Sequence, residues 1–482
     1  MKLQGNFLCY FILRRSILLV AIFAALWAAA AVLAPLVGPQ LIEAAYADRA
    51  LPILGWISQH RDTIPVQFYL ERWRTISDAV PLAGILHVGV IAFLLTIGRR
   101  DRSPGSNAVS ADYGDDAILI GFSGVFIIWT LITWYHQDYV AYLYEWNQIL
   151  AGGVPWDLDG FWINTYGPLF NVLALPASIH PLLPKLLIAF CYLMFTVWFV
   201  KYFAPRQQLV LRSWAVMLLW LFNPFPWIEI GYFGHFDVLM GIASVAAAHS
   251  LTRGRDVAAA FWLALGTLVK FLPVVILPFL ALEGRRVRFA ACSVFFVLTG
   301  FALSFLIWGP STFTPIAFAA TRQSASSIYD FFTRSPFSPL LLVTDRPNVD
   351  WLAMPCLAAS GLTVFTWCAI RRVEPVLASV LAILTTLAFY RIGYMQYQTV
   401  LLMVGAYWAT LNWEHLKDNV VLVRLLVAYC IYFAVVDSAY VVQAVPYGIT
   451  FGLLNFPVEI TLLAVLLRFS ARNRSVISRS TA

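Results

Sequence analysis

Long runs of apolar residues dominate this sequence and limit what it can fold into. A transmembrane helix needs about 20 such residues, and twelve runs approach that length. They cover residues 16–38, 79–98, 116–135, 183–203, 211–230, 237–252, 286–307, 351–370, 374–390, 397–412, 421–441 and 448–468. The sequence therefore predicts an all-α protein, folded as a polytopic bundle of about 12 transmembrane helices.

The composition excludes a water-soluble fold. Charged residues make up 12% of the chain and hydrophobic residues 61%, whereas a soluble domain typically contains about 25% charged residues. The basic residues stand in short clusters between the apolar runs, as they do in proteins oriented by a membrane. We therefore interpret the net charge of +7 as a topology signal, and we expect membrane lipids rather than nucleic acid as partners.

A thirteenth apolar stretch, residues 257–282, is interrupted by Lys270 and Pro273. Basic residues flank it on both sides, namely Arg253 and Arg255 before it and Arg285, Arg286 and Arg288 after it. Basic residues favour the cytoplasmic side, and a single crossing would place one flank outside. The stretch therefore predicts a short re-entrant hairpin of two half-length helices.

Counting the hairpin as no net crossing places almost all basic clusters on one face. This arrangement predicts a bacterial inner-membrane protein with both termini in the cytoplasm. The larger loops on the periplasmic face are then residues 39–78, 136–182 and 308–350.

One acidic residue, Asp138, directly follows the third apolar run and should lie at the outer interface. If a helix continues there, Asp138, Tyr142 and Glu145 share one of its faces. Carboxylates beside aromatic rings favour a polar site with an apolar wall. A solvated acid near a helix end is the alternative interpretation.

Further along the same loop, Asp157 and Asp159 form an Asp-x-Asp pair. Carboxylates are preferred ligands of hard divalent cations, so the pair is a weak candidate for a metal site. A turn rich in Asp and Gly explains the same residues without a metal.

Ionisable residues also stand within or beside the apolar runs, where they are costly and suggest function. His235 and Asp237 follow Gly231 and Gly234 between two runs, and a hydrogen-bonded structural histidine is the alternative. Lys270 either meets an anionic group such as a lipid phosphate or extends to the interface.

The short turn after residue 390 contains Arg391, Tyr394 and Gln396. These side chains suit a hydroxyl-rich or phosphorylated ligand. Anchoring of the helix ends at the membrane interface is the alternative.

Together these motifs resemble the GT-C superfamily, the membrane glycosyltransferases that use polyprenyl-phosphate sugars, and especially its bacterial mannosyltransferases. The resemblance rests on Asp138, on Tyr166-Gly167-Pro168-Leu169, on Asn223-Pro224 with Gly234-His235-Phe236-Asp237, and on Lys270 with the prolines after it. It covers about residues 116–310 well and the C-terminal third poorly. His235 stands where the superfamily pattern has Gln, which puts the choice of sugar or acceptor in doubt.

The resemblance implies three regions and a set of site residues. Residues 1–115 form an added two-span hairpin with an outer loop, residues 116–310 the catalytic membrane module, and residues 311–482 further transmembrane helices. Asp138 is the expected catalytic base. The expected substrate-binding residues are His235, Asp237, Lys270, Arg391, Tyr394, Gln396 and Tyr166, with Lys270 or Arg391 stabilising the phosphate.

We therefore predict an inverting glycosyltransferase that moves a sugar, expected to be mannose, from a polyprenyl phosphate to a lipid, glycan or protein acceptor at the outer face. No cofactor is required by the residues, and a divalent cation at Asp157 and Asp159 is the less favoured alternative. A transporter or flippase for a lipid-linked or anionic solute is the alternative function, and a scaffold subunit of an envelope-assembly complex is a third.

Overall fold

The computed structural model describes residues 2–47, 64–97, 112–135, 137–156, 166–206, 217–282, 286–321, 353–390, 395–441 and 447–472. Within these ranges the chain is helical, and none of it forms a β-strand. Seven of the described helices are long and apolar enough to cross a membrane, and a bent pair of helices makes up to eight. The predicted all-α polytopic membrane fold is confirmed.

The chain divides into two compact units, of which the first contains residues 1–140, 176–212 and 230–234. Its helices are α1 (Lys2–Ala47), α2 (Val66–Ile97), α3 (Asp112–Ile132), the start of α4 (Gln137–Leu150), and α5 (Leu183–Trp198). Helix α2 packs against α1, α3 and α5. A π-helical turn, Phe199–Phe203, continues α5.

The second unit contains residues 141–175, 213–229 and 235–482. Its main helices are α6 (Asp237–Thr252), α7 (Asp256–Val269), α8 (Val287–Trp308), α9 (Ala353–Arg371), α10 (Pro375–Phe389), α11 (Gln398–Leu411), α12 (Val420–Val441) and α13 (Tyr447–Arg472). Helix α10 packs against α9, α11 and α13, while α6 packs against α7 and α11. Buried apolar side chains cover almost every face of α10, which makes it the core of this unit.

Local signals in the sequence explain several helix ends. The carboxylate of Glu374 accepts hydrogen bonds from the backbone N–H groups of Val376 and Leu377, and Pro375 occupies the first helical position of α10. Acceptor side chains satisfy N–H groups that have no partner within the helix, and proline is favoured at this position. Asn223 caps the short helix Pro224–Pro226 in the same way, because its side chain accepts a hydrogen bond from the backbone N–H of Phe225.

The structure breaks two of the predicted runs. The run at 211–230 is described from residue 217 and consists of short helical segments, and the chain bends by 116° before α6. The stretch at 257–282 is divided into α7 and a short segment, Leu272–Ala281, with the interruption at Lys270 as the sequence predicts. Both breaks fall at the ionisable residues that mark the candidate site.

Candidate functional site

An extended segment lies beside the broken helix in the second unit. Tyr166 and Lys270 form an isolated antiparallel bridge, and the Gly167 N–H donates a hydrogen bond to the carbonyl oxygen of Val269 over 2.7 Å. A Cβ atom at Gly167 would collide with the carbonyl oxygen of Leu268. Glycine is therefore required there because the two backbones approach so closely.

The bridge places Tyr166 and Lys270 around the carboxylate of Asp237. The ammonium of Lys270 lies 3.2 Å from Asp237 Oδ1, and the hydroxyl of Tyr166 donates to Asp237 Oδ2 over 3.3 Å. All three side chains are at most 4% exposed. Charged groups buried this deeply require partners, and each oxygen of this carboxylate has one.

Two aromatic rings hold the ammonium group of Lys270. Its Nζ atom lies 4.4 Å from the ring centroid of Tyr166 and 4.4 Å from that of Tyr397. Cations are attracted to the faces of aromatic rings, and more strongly where water is excluded. The rings and Asp237 therefore fix the position of a cation within an apolar part of the protein.

A chain of hydroxyl groups extends this arrangement. Tyr142 and Tyr166 share a hydrogen bond of 3.0 Å, and because Tyr166 gives its proton to Asp237, Tyr142 is the donor. Burial, and then the nearby carboxylate of Asp237, raise the pKa of Tyr166 well above its ordinary value. Tyr166 therefore keeps its proton at neutral pH and acts as a donor.

Aromatic side chains pack around this hydroxyl chain. The ring of Tyr166 stacks on Phe170 at 4.3 Å between centroids, and Phe236 makes edge contacts with Tyr142, Phe170 and Trp146. These rings exclude water from the Asp237 side of the site. Electrostatic interactions are stronger in such surroundings.

His235 has its own buried partner, Glu229, which is not among the predicted site residues. Its Nδ1 atom lies 2.6 Å from Glu229 Oε2, and its backbone N–H donates to the Glu229 carbonyl oxygen. Both side chains are buried. The signal in the sequence was a lone carboxylate within an apolar run, which is costly unless it is paired.

The remaining predicted residues are distributed as follows. Asp138 is partly exposed at the start of α4 and belongs to the first unit, whereas Tyr142 and Glu145 on the same helix are buried and belong to the second. Gln396 is buried beside Tyr397. The predicted residues Arg391, Tyr394, Asp157 and Asp159 lie outside the described residues.

The described residues contain no group of three His, Cys, Asp or Glu side chains that could hold a metal ion. The site in the second unit therefore offers a fixed ammonium group, a carboxylate that offsets its charge, and hydroxyl groups. This chemistry suits an oxyanion or a hydroxyl-rich ligand, because lysine and tyrosine donate hydrogen bonds to oxygen.

Comparison with known proteins gives one match. The model of glycosyltransferase family 87 matches residues 164–392, just under half of the chain, and this range includes Tyr166, Asp237 and Lys270. No curated protein and no solved structure gives a significant match. The predicted resemblance to membrane glycosyltransferases is confirmed over this range, and it favours an enzyme over the transporter alternative.

Proposed function

We propose that this membrane glycosyltransferase, whose residues 164–392 match family 87, uses a polyprenyl-phosphate sugar as its donor. We propose also that it inverts the anomeric centre of the sugar. The acceptor is a lipid, glycan or protein at the periplasmic face of the inner membrane. Mannose is the sugar we expect, from the resemblance to bacterial mannosyltransferases.

The observation that carries this proposal is the buried ammonium of Lys270, held between Tyr166, Tyr397 and Asp237. A donor with a phosphate group and a long lipid needs a cation that is reached from apolar surroundings. Lys270 is a cation in such surroundings, because its chain neighbours on either side are apolar. A phosphate bound there would compete with Asp237 for the ammonium group.

The proposed reaction is a single displacement. The Asp138 carboxylate accepts the proton of the acceptor hydroxyl, while the acceptor oxygen forms a bond to the anomeric carbon. The bond from that carbon to the phosphate oxygen breaks, and its electron pair leaves with the polyprenyl phosphate. A cation stabilises the negative charge that collects there. Attack opposite the phosphate inverts the configuration.

The proposed orientation follows from the basic clusters in the sequence. They favour cytoplasmic termini, which places Asp138 and the bend before Asp237 at the outer ends of their helices. The lipid of the donor would then enter from the bilayer beside the shortened helices α7 and Leu272–Ala281. Helices of this length do not fill the bilayer thickness.

The experiment that tests the proposal measures transfer of labelled mannose from synthetic polyprenyl-phosphate mannose into membrane lipids. Wild type is compared with Asp138→Asn, and with Glu414→Gln as the matched control, because Glu414 is a surface carboxylate paired with exposed Lys417. Transfer by wild type and the control, lost in Asp138→Asn, supports the donor class and the base.

Two outcomes would contradict parts of the proposal. Transfer that survives in Asp138→Asn retains the enzyme and its donor but excludes Asp138 as the base. Absence of transfer by wild type, across several polyprenyl-phosphate sugars and acceptors, excludes the donor class.

A further inference from the structure

A second buried lysine, Lys185, lies near the start of α5 in the first unit. Its side chain is fully buried. Its ammonium donates to Thr133 Oγ1 over 3.0 Å, to the Trp134 carbonyl oxygen over 2.7 Å and to the Tyr232 carbonyl oxygen over 3.1 Å. An ammonium group has three hydrogens, and these three acceptors use all of them. The side chain is therefore saturated and does not reach substrate.

The three acceptors share one feature: none of them carries a charge. Burying an ammonium group is costly when no carboxylate compensates it, so its position needs an explanation. Two of the acceptors, Thr133 and Trp134, directly follow the last residue of α3. Carbonyl groups at a helix C-terminus lack partners within the helix, and the helix dipole favours a cation there. Lys185 therefore holds the turn Thr133–Trp134 that directly follows α3.

A second cation, the guanidinium of Arg72, lies at the C-terminal end of α3. Arg72 of α2 donates to the carbonyl oxygen of Ile132 over 3.1 Å, and its guanidinium lies 5.2 Å from the centroid of the Trp134 ring. Trp134 has a left-handed backbone, with φ of 51°, which is uncommon for a bulky residue. The two cations hold this unfavourable turn in place.

The same lysine also holds the residue after Asp138. The backbone N–H of Lys185 donates to the hydroxyl of Tyr139 over 3.2 Å, and that hydroxyl donates to the Pro181 carbonyl oxygen over 2.7 Å. Tyr139 is fully buried in the first turn of α4. The Lys185 side chain thus fixes the turn before α4, and its backbone N–H contacts the first turn of that helix. The two contacts lie on either side of Asp138 in the sequence.

We infer that Lys185 is a positioning residue for Asp138, acting through the end of α3 and the start of α4. The inference rests on the proposed function, in which Asp138 takes the acceptor proton. General base catalysis needs the carboxylate within hydrogen-bond reach of that proton, and a displacement of about 1 Å can lower a rate about 100-fold. A side chain that fixes the turn before α4 also fixes where this helix begins, and so it meets this requirement.

The first test does not depend on activity. Lys185→Met keeps the length of the side chain and removes the three hydrogen bonds of the ammonium group, while the backbone hydrogen bond to Tyr139 is retained. Lys201→Met is the matched control, because Lys201 is a mostly buried lysine paired with Asp116 at the opposite end of α3. Amide hydrogen exchange of residues 141–145, the first amides of α4 with partners within the helix, should increase in Lys185→Met and stay unchanged in Lys201→Met. Unchanged exchange in Lys185→Met would overturn the inference.

The second test separates a positioning role from general stability. At equal amounts of folded protein, kcat for mannose transfer should fall about 10- to 100-fold in Lys185→Met, while KM for the donor stays within about 2-fold of wild type, as expected when only transition-state interactions are lost. Thr133→Val removes one of the three acceptors of the Lys185 ammonium, so its kcat should fall less. This variant replaces Lys185→Met in the test if Lys185→Met does not fold. An equal loss of kcat in Lys201→Met would contradict the inference. A change in Lys185→Met that is confined to KM would contradict it as well. Inactive wild type with increased exchange in Lys185→Met would refute the proposed donor only.

Discussion

Asp237 and Lys270 form a buried ion pair, with 3.2 Å between Asp237 Oδ1 and Lys270 Nζ, although 33 residues separate them in the chain. Each lies where a helix begins or ends: Asp237 is the first residue of α6, and Lys270 directly follows the last residue of α7. The pair therefore links the start of α6 to the end of α7.

We expect Asp237→Asn to lower both stability and transfer. The substitution leaves the Lys270 ammonium buried beside a neutral amide, and breaking a buried pair typically costs about 3–5 kcal/mol. Transfer should fall about 100-fold, as when one preorganised electrostatic group is lost. Thermal unfolding and the mannose-transfer assay measure the two effects.

The double variant Asp237→Asn/Lys270→Met is the control for this ion pair. Replacing both charges should recover much of the lost stability without restoring transfer. If Asp237→Asn alone unfolds at the same temperature as wild type, the ion pair does not contribute to the stability of the fold.

Gly167→Ala should separate the two backbone segments that meet at the Tyr166–Lys270 bridge. The new methyl group would collide with the Leu268 carbonyl oxygen, so the hydrogen bond from Gly167 to Val269 is lost. We expect transfer to fall at least about 10-fold, because Tyr166 and Lys270 then move relative to Asp237. Gly361→Ala in α9 is the control, since no atom lies within 4 Å of its added Cβ. Equal transfer by the two variants would contradict the close approach at Gly167.

Much of the fold could be predicted from apolar run length, because run length and the cost of unpaired backbone in lipid leave few alternatives to helices. The interruption at Lys270 is predicted by that lysine, by Pro273 and by the basic residues on both sides of the stretch. The bend of 116° before Asp237 was not. Asn223-Pro224 marks a helix start in the sequence, but the π-helical turn that follows it depends on tertiary packing.

The site could be predicted only in part. Single ionisable residues in apolar runs identified Asp237 and Lys270, because each is costly alone. Their partners could not be assigned, since Tyr397 is one of 21 tyrosines and contacts Lys270 across 127 positions of sequence. Lys185 and Glu229 carry the same signal as Lys270, since each is a single ionisable residue in an apolar run, but neither is among the predicted site residues.

Tyr166→Phe should change how stability depends on pH. The pKa of Tyr166 is raised in the folded protein, so folding favours its neutral form. Its contribution to stability is fully present below the ordinary tyrosine pKa of about 10 and is lost as pH rises above that value. Wild type should therefore lose more stability than Tyr166→Phe between about pH 9 and 11.

Denaturation of both proteins at several pH values measures this difference. At pH 8 the Phe variant should itself be less stable by about 1 kcal/mol, because the hydrogen bond to Asp237 is missing. Parallel stability curves would show that Tyr166 does not keep its proton as proposed.

Substitutions at His235 should distinguish its structural role from a role in substrate choice. His235→Gln provides an amide donor for Glu229, so this variant should fold like wild type. His235→Ala leaves the Glu229 carboxylate buried without its hydrogen bond, which costs about 1–3 kcal/mol or more. Since the GT-C pattern has Gln at this position, His235→Gln should transfer sugar with a changed ratio of rates among donor sugars.

A panel of polyprenyl-phosphate hexoses tests this prediction, with unfolding temperatures measured in parallel. Glu229→Gln is the matched control, because it removes the charge while keeping an acceptor for His235 Nδ1. An unchanged donor ratio in His235→Gln would restrict His235 to a structural role.

A buried polar cluster of Gln398, Tyr429 and Glu459 lies beside the Lys270 site. Glu459 of α13 accepts a hydrogen bond from Gln398 Nε2 over 2.7 Å, and Tyr429 of α12 donates to Gln398 Oε1 over 2.8 Å. Gln398 directly follows Tyr397, whose ring contacts the Lys270 ammonium. The cluster therefore fixes the start of α11 and, through it, one ring beside Lys270.

Glu459→Leu should leave the amide of Gln398 without this acceptor and destabilise the protein by about 1–3 kcal/mol. Transfer by the folded fraction should also fall, because Tyr397 is no longer held against Lys270. Glu459→Gln retains an acceptor oxygen and should preserve most of both properties. Normal transfer by folded Glu459→Leu would show that Tyr397 is held independently of this cluster, and Tyr397→Leu would then measure the contribution of the ring itself.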